Sequence, residues 1–143
     1  MRSNTKVRYG LRTMIQIALD NKEGIYQKDI SKKQDISVKY LDQIIAALKA
    51  EGLITRPPDE RQGYVLTRPA SEISVYDIYQ AFEPALSVVP CIPEEGICKK
   101  KSHCAAVHFW SGLNSHIRSY FEDTTLDALV QIQEQHNKQL IEK

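Results

Sequence analysis

Apolar residues at Val7, Leu11, Met14, Ile15, Ala18 and Leu19 recur at spacings of three and four, which places one stripe along a helix over residues 5–21. KEGIY follows as a turn with Gly24, and a short helix over YQKDISKKQ comes next with Ile30 facing inward. DIS is a second turn, and Ser37 is placed to cap VKYLDQIIAALKAE, because a serine hydroxyl accepts from the open N–H groups of a first helical turn. Leu41, Ile44, Ile45 and Leu48 form the stripe of this third helix, and Gly52 stands where a helix commonly ends in a left-handed residue.

In LITRPPDERQGYVLTR the period changes. Leu53–Arg56 and Gly63–Thr67 read as two short strands around a polar tip, since Pro57 and Pro58 cannot continue a helix. A β-ribbon directly after a helix-turn-helix is the pattern of a winged helix. Ser74 with Asp77 three residues on makes a capping box for a helix that turns Val75, Ile78, Tyr79 and Phe82 toward a core, and Pro84 ends it. A longer helix is expected from about Ser102 to about Phe121, then a last one from Thr124, with Asp127 at its capping-box position, toward Leu140. The expected fold is mainly α with a small β-wing. Residues 1–84 would form the winged helix-turn-helix domain, 85–104 a cysteine-rich loop, and 105–143 a dimerisation helix with a C-terminal helix. Trp110, Leu113, Ile117 and Phe121 lie on one face of a helix that comes too late to be needed by the front core. They are the expected seam of a homodimer. Two-fold symmetry would bring two recognition helices to successive major grooves.

The chain's 143 residues, 42% hydrophobic and 26% charged, suit one globular domain, and no apolar run approaches the roughly 20 residues of a membrane span. The N-terminal stretch is broken by Arg8, Arg12 and Gln16 and does not read as a signal peptide, so a cytoplasmic protein with reduced thiols is expected. The net charge of +1 hides an asymmetry. Residues 1–69 carry 13 Lys and Arg against 8 Asp and Glu, a net +5, while residues 70–143 carry 6 against 10, a net −4. A basic front half containing a winged-helix pattern points to double-stranded DNA. The candidate contacts are Ser37, Val38, Lys39, Tyr40 and Gln43 on the third helix, Lys28 on the second, and Arg56 and Arg61 on the wing, with Arg68 at its base. Glutamine can pair with an adenine edge, lysine can reach guanine or phosphate, and arginine on a narrow ribbon suits phosphate or the minor groove. No Ser/His/Asp order, phosphate-cradling glycine loop or paired-carboxylate motif is present, so no enzyme is expected.

CIPEEGICKKKSHCAAVH holds all three cysteines of the chain and two of its four histidines. Six residues separate Cys91 from Cys98 and five separate Cys98 from Cys104, so the C-x₂₋₄-C knuckle of a zinc finger is absent. Thiolates spread along a loop suit a larger object, an iron–sulfur cluster, and three of them leave one position open. His108 follows Cys104 by one helical turn and can complete the set, whereas His103 adjoins Cys104 and would point elsewhere. The thiols could instead be incidental, act as a zinc or thiol switch, or belong to an iron–sulfur carrier or scaffold.

TKVRYGLRTMIQIAL, ISVKYLDQIIAALKAEGLI, GYVLTRPASEISVYDIYQAFE and the three-cysteine segment, in one register from Thr5 to about Val130, resemble the Rrf2 family of IscR/NsrR-like winged-helix regulators. The resemblance implies a homodimeric bacterial transcription regulator. In cluster-binding members three cysteines, matching Cys91, Cys98 and Cys104, hold a 2Fe–2S or 4Fe–4S cluster; the 2Fe–2S form is expected here, with iron–sulfur assembly proteins as further partners. Three places differ from the pattern. Arg8 stands where one branch has a carboxylate lent by the partner subunit. Val107 stands where another has a histidine, with His108 one residue later. PPDERQGY replaces a glycine run before the wing's return strand.

Overall fold

The computed structural model describes residues 4–59, 63–88 and 104–142. Arg61, Cys91, Cys98 and His103 lie outside them. α1 (Thr5–Leu19) is packed on several sides: Met14 and Ile17 are fully buried, and so are Thr13 and, nearly, Gln16. The buried set is therefore wider than the expected stripe and rotated from it, for Leu11, Ile15, Ala18 and Leu19 are only partly covered. The buried polar groups are satisfied. Thr13 donates to the Tyr9 carbonyl at 2.8 Å, and the Gln16 amide donates to Asp20 at 2.7 Å and accepts from Gln34 at 2.8 Å.

α2 (Gln27–Gln34) and α3 (Val38–Ala50) form the helix-turn-helix, with Asp35 at φ 53° making the left-handed step between them. Ser37 accepts from the Tyr40 N–H at 3.1 Å, and Leu41, Ile44, Ile45 and Leu48 are all buried, as the pattern requires. Ile30, also fully buried, closes α2 against the same core.

The wing is shorter than the sequence suggests. β1 (Ile54–Thr55) and β2 (Val65–Leu66) pair antiparallel, Ile54 opposite Leu66 and Thr55 opposite Val65. Tyr64 pairs instead with Ile25: its N–H donates to the Ile25 carbonyl at 2.7 Å, and the Ile25 N–H returns to the Tyr64 carbonyl at 3.2 Å. Gly63 makes this crossing possible. Its φ is +84°, and a Cβ there would lie 2.1 Å from the Ile25 carbonyl oxygen.

α4 (Val75–Gln80) opens with the expected capping box. The Ser74 hydroxyl accepts from the Asp77 N–H at 3.0 Å and the Asp77 carboxylate from the Ser74 N–H at 2.9 Å. α5 (Ala105–Asp123) and α6 (Leu126–Glu142) follow. α6 begins two residues later than expected. Thr125 accepts from the Ala128 N–H at 3.1 Å, while the Thr124 hydroxyl turns back to the Tyr120 carbonyl at 2.7 Å. Asp127 is consequently no capping-box partner and accepts from Gln131 at 2.7 Å.

The C-terminal helices are tied to the front of the molecule. Leu126 is fully buried, and Val130 beside it on α6 joins Met14 and Ile17 in the main core. The Val75 N–H donates to the Thr124 carbonyl at 2.9 Å and the Leu126 N–H to the Ile73 carbonyl at 2.8 Å, which laces the α5–α6 elbow to the start of α4. No helix among the described residues is long and apolar enough to cross a membrane.

Candidate nucleic-acid interface and thiol site

α3 offers its first turns outward. Val38, Lys39, Asp42 and Gln43 are exposed, and Ser37, Lys39, Tyr40 and Gln43 line a shallow recess of about 230 Å³. Two of these side chains have work inside the fold. The Ser37 hydroxyl is the helix cap, and Tyr40 is half-buried with its ring edge-on to Tyr9, centroids 5.6 Å apart. Asp42 faces out too, but Gln27 donates to it at 2.5 Å and to the Val38 carbonyl at 3.1 Å. That amide fixes the start of α2 against the start of α3.

Between α2 and the wing lies a second recess, of about 490 Å³, lined by Tyr26, Gln27, Lys28, Arg56 and Tyr64. Lys28 and Arg56 were expected at a DNA surface from the sequence; Tyr26, Gln27 and Tyr64 were not. Tyr64 could have been suspected only from its place next to Gly63. The Arg56 guanidinium sits 5.7 Å from the Tyr64 ring centroid and the Lys49 ammonium 6.0 Å from it, within the range of cation–π attraction. Arg68 does not join this surface. Its guanidinium pairs with Asp77 at 3.1 Å and donates to the Glu72 carbonyl at 3.2 Å, so it braces the start of α4.

Cys104 is the N-cap residue of α5, half-exposed, with no capping hydrogen bond from its side chain. His108 is exposed one turn later. The remaining proposed ligands, Cys91 and Cys98, fall outside the described residues, and among the described residues no group of three or more metal-binding side chains occurs.

α5 carries two different faces. Ile117 and Phe121 pack against a small cluster of Val7, Tyr79 and Leu86, with the Phe121 ring edge-on to Tyr79 at 5.4 Å. Burial, and then the charge of Glu83, raise the Tyr79 pKa above that of a free tyrosine. Half of the expected dimer seam is thus used within the chain. Trp110 and Leu113 remain open, joined by Phe109 and Tyr120, which are 64% and 73% exposed. The open face is turned around the helix from the expected one because the inner edge of the stripe was claimed by α1 and α4.

A family model described as an iron-dependent transcriptional regulator, Rrf2, matches residues 3–132. The chain is 33% identical over 143 residues to the HTH-type transcriptional regulator IscR of Pectobacterium carotovorum, covering 99% of this chain and 84% of that protein. It is also 33% identical over 135 residues to the IscR of Xenorhabdus nematophila, covering 94% and 82%. Among solved structures, CymR, the global cysteine regulator of B. subtilis, superposes with a TM-score of 0.75 at 28% identity over 92% of this chain and 98% of that one. T. potens IscR superposes with a TM-score of 0.76 at 26% identity over 95% and 90%. With the wing, the helix-turn-helix and the family model in agreement over nearly the whole length, the chain belongs to the Rrf2 family of winged-helix, DNA-binding transcriptional regulators.

Proposed function

We propose that the protein is a homodimeric regulator whose hold on a double-stranded operator responds to an iron–sulfur cluster carried by Cys91, Cys98 and Cys104, with His108 as fourth ligand. The position of Cys104 supports this reading most. It starts the 19-residue α5, whose inner face rests on Val7 and Tyr79 of the winged-helix body and whose outer face is open and apolar. A change of geometry at Cys104 would tilt α5 and pass to both surfaces. The donor set also suits the group: thiolates are soft ligands of iron–sulfur clusters, an imidazole also binds iron, and the open N–H groups at a helix start favour the negative charge of a thiolate-ligated centre. A bound cluster supplies a centre whose charge and persistence change with oxidation. The chain's own part is to hold it at the head of α5 and to present Ser37 to Gln43 on α3 and the wing to DNA. The 2Fe–2S form is proposed, loaded by iron–sulfur assembly proteins in the cytoplasm.

The outer face of α5, with Phe109, Trp110, Leu113 and Tyr120, is the proposed dimer seam. Four large apolar side chains left open on one helix are the signature of a contact with another protein surface.

The likeness to CymR of B. subtilis and to the oxidized form of Staphylococcus aureus CymR favours a second reading in which the thiols themselves respond without a cluster. Purification without oxygen separates the two. Under the cluster reading the protein carries iron, sulfide and visible charge-transfer bands, Cys104→Ser abolishes them, and His108→Ala shifts them or shortens their lifetime. Colourless wild-type protein whose operator binding follows thiol oxidation would establish the second reading instead.

A further inference from the structure

We infer that the recess between the start of α2 and the wing seats one phosphodiester of the operator backbone, and that Tyr64 positions the cations around it. This rests on the DNA-binding reading and adds a defined contact to it. The ligand class follows from the lining. Lys28 and Arg56 bring two positive charges and Tyr26 a phenol hydroxyl, Tyr64 presents its ring to the Arg56 guanidinium, and no carboxylate of a described residue lines the recess. Gln27 is the remaining lining residue among those described, and its amide is already committed to Val38 and Asp42. Two cations beside a hydroxyl donor, recessed between α2 and the wing and away from the outward face of α3, suit the oxygens of a backbone phosphate.

The gathering of two cations on one ring separates this place from the other described parts of the basic front half. Lys33 is paired with Asp20 and Arg68 with Asp77. Lys28, Lys49 and Arg56 make no ion pair with any described carboxylate. Two of these three are gathered instead around the Tyr64 ring, at 5.7 and 6.0 Å. An aromatic face restrains a cation without neutralising it, so its charge remains available to an incoming anion. Tyr64 is itself rigid, because both of its backbone polar groups pair with Ile25 at the base of the wing. Gln27 completes the arrangement by locking the recess to the first turn of α3. A phosphate seated there would fix the register of the recognition helix in its groove.

The test uses the full-length protein and a duplex selected by the wild type from a random pool. Tyr64→Leu removes the ring face and keeps the backbone pairing. It should weaken binding about tenfold and reduce the slope of log affinity against log salt by about one. Tyr64→Phe keeps the face and should stay within about twofold of the wild type. Arg56→Gln, an exposed substitution that leaves the fold intact, should resemble Tyr64→Leu. In a scan of neutral methylphosphonates along the duplex, one position that weakens the wild type should have no further effect on Arg56→Gln. Wild-type affinity and slope in Tyr64→Leu would overturn the proposal. So would a Tyr64→Phe variant as weak as Tyr64→Leu, or a scan in which every wild-type penalty persists in Arg56→Gln. Failure of the wild type to select any duplex would remove the DNA-binding reading itself, and this proposal with it.

Discussion

Gly63→Ala, compared with Gly52→Ala, measures how firmly the wing is fastened to the body. Both glycines have left-handed backbones, with φ of +84° and +76°. A methyl group at Gly52 would meet nothing within 4 Å, so Gly52→Ala should cost only the conformational term, about 1 kcal/mol. At Gly63 the same methyl would lie 2.1 Å from the Ile25 carbonyl oxygen and 2.4 Å from its carbon, which are backbone atoms that cannot swing aside. The Ile25–Tyr64 bridge must then open, with loss of its two hydrogen bonds at 2.7 and 3.2 Å. At about 1 kcal/mol each, they raise the expected cost of Gly63→Ala to about 3 kcal/mol. Urea unfolding followed by far-ultraviolet circular dichroism measures both. With a slope of about 2 kcal/mol/M, the midpoint should fall by roughly 1.5 M for Gly63→Ala and roughly 0.5 M for Gly52→Ala. Because the bridge also holds Tyr64, folded Gly63→Ala protein should lose operator affinity where Gly52→Ala does not. Equal destabilisation by the two substitutions would refute the close crossing and the anchored wing.

Gln43→Ala should change base preference, while Lys39→Ala should weaken all sequences alike and lower the salt slope, as binding measured across a salt series will show. Leu113→Asp, on the open face of α5, should give monomers in sedimentation, because burying an unpaired charge in an apolar seam costs several kcal/mol. The same substitution at an untouched surface position would leave the oligomer intact. Leu126→Ala should destabilise the fold by about 3 kcal/mol, because Leu126 is fully buried where α6 meets the main core; a change under about 1 kcal/mol would mean that α6 does not help close that core.

Local rules set much of this molecule. The cap at Ser37, the stripe of α3, the left-handed Gly52 and the Ser74–Asp77 box are each fixed by residues within one helical turn, and each stands where the sequence places it. The order of helix, short helix, turn, helix and ribbon is likewise written in hydrophobic period and in the two prolines of the wing. The α6 cap was misplaced by one residue because Thr124 and Thr125 offer the same chemistry. The choice between them falls to the neighbouring chain, whose Val75 and Ile73 bond to the backbone of residues 124 and 126. Tertiary packing decided the rest. A single helix presents one stripe on paper, yet α1 has neighbours on several sides, so Thr13 and Gln16 are buried along with Met14. Arg68 and Arg56 read alike in sequence, but Asp77 holds one against α4 and the Tyr64 ring leaves the other beside an open recess. The stripe of α5 named both Ile117 and Leu113, and only the packing of α1 and α4 determined that Ile117 turns inward while Leu113 stays exposed. Short-range hydrogen bonding and periodicity are properties of neighbours along the chain. Which face of a helix is covered, and which charge is left free, depend on residues brought together from distant parts of it.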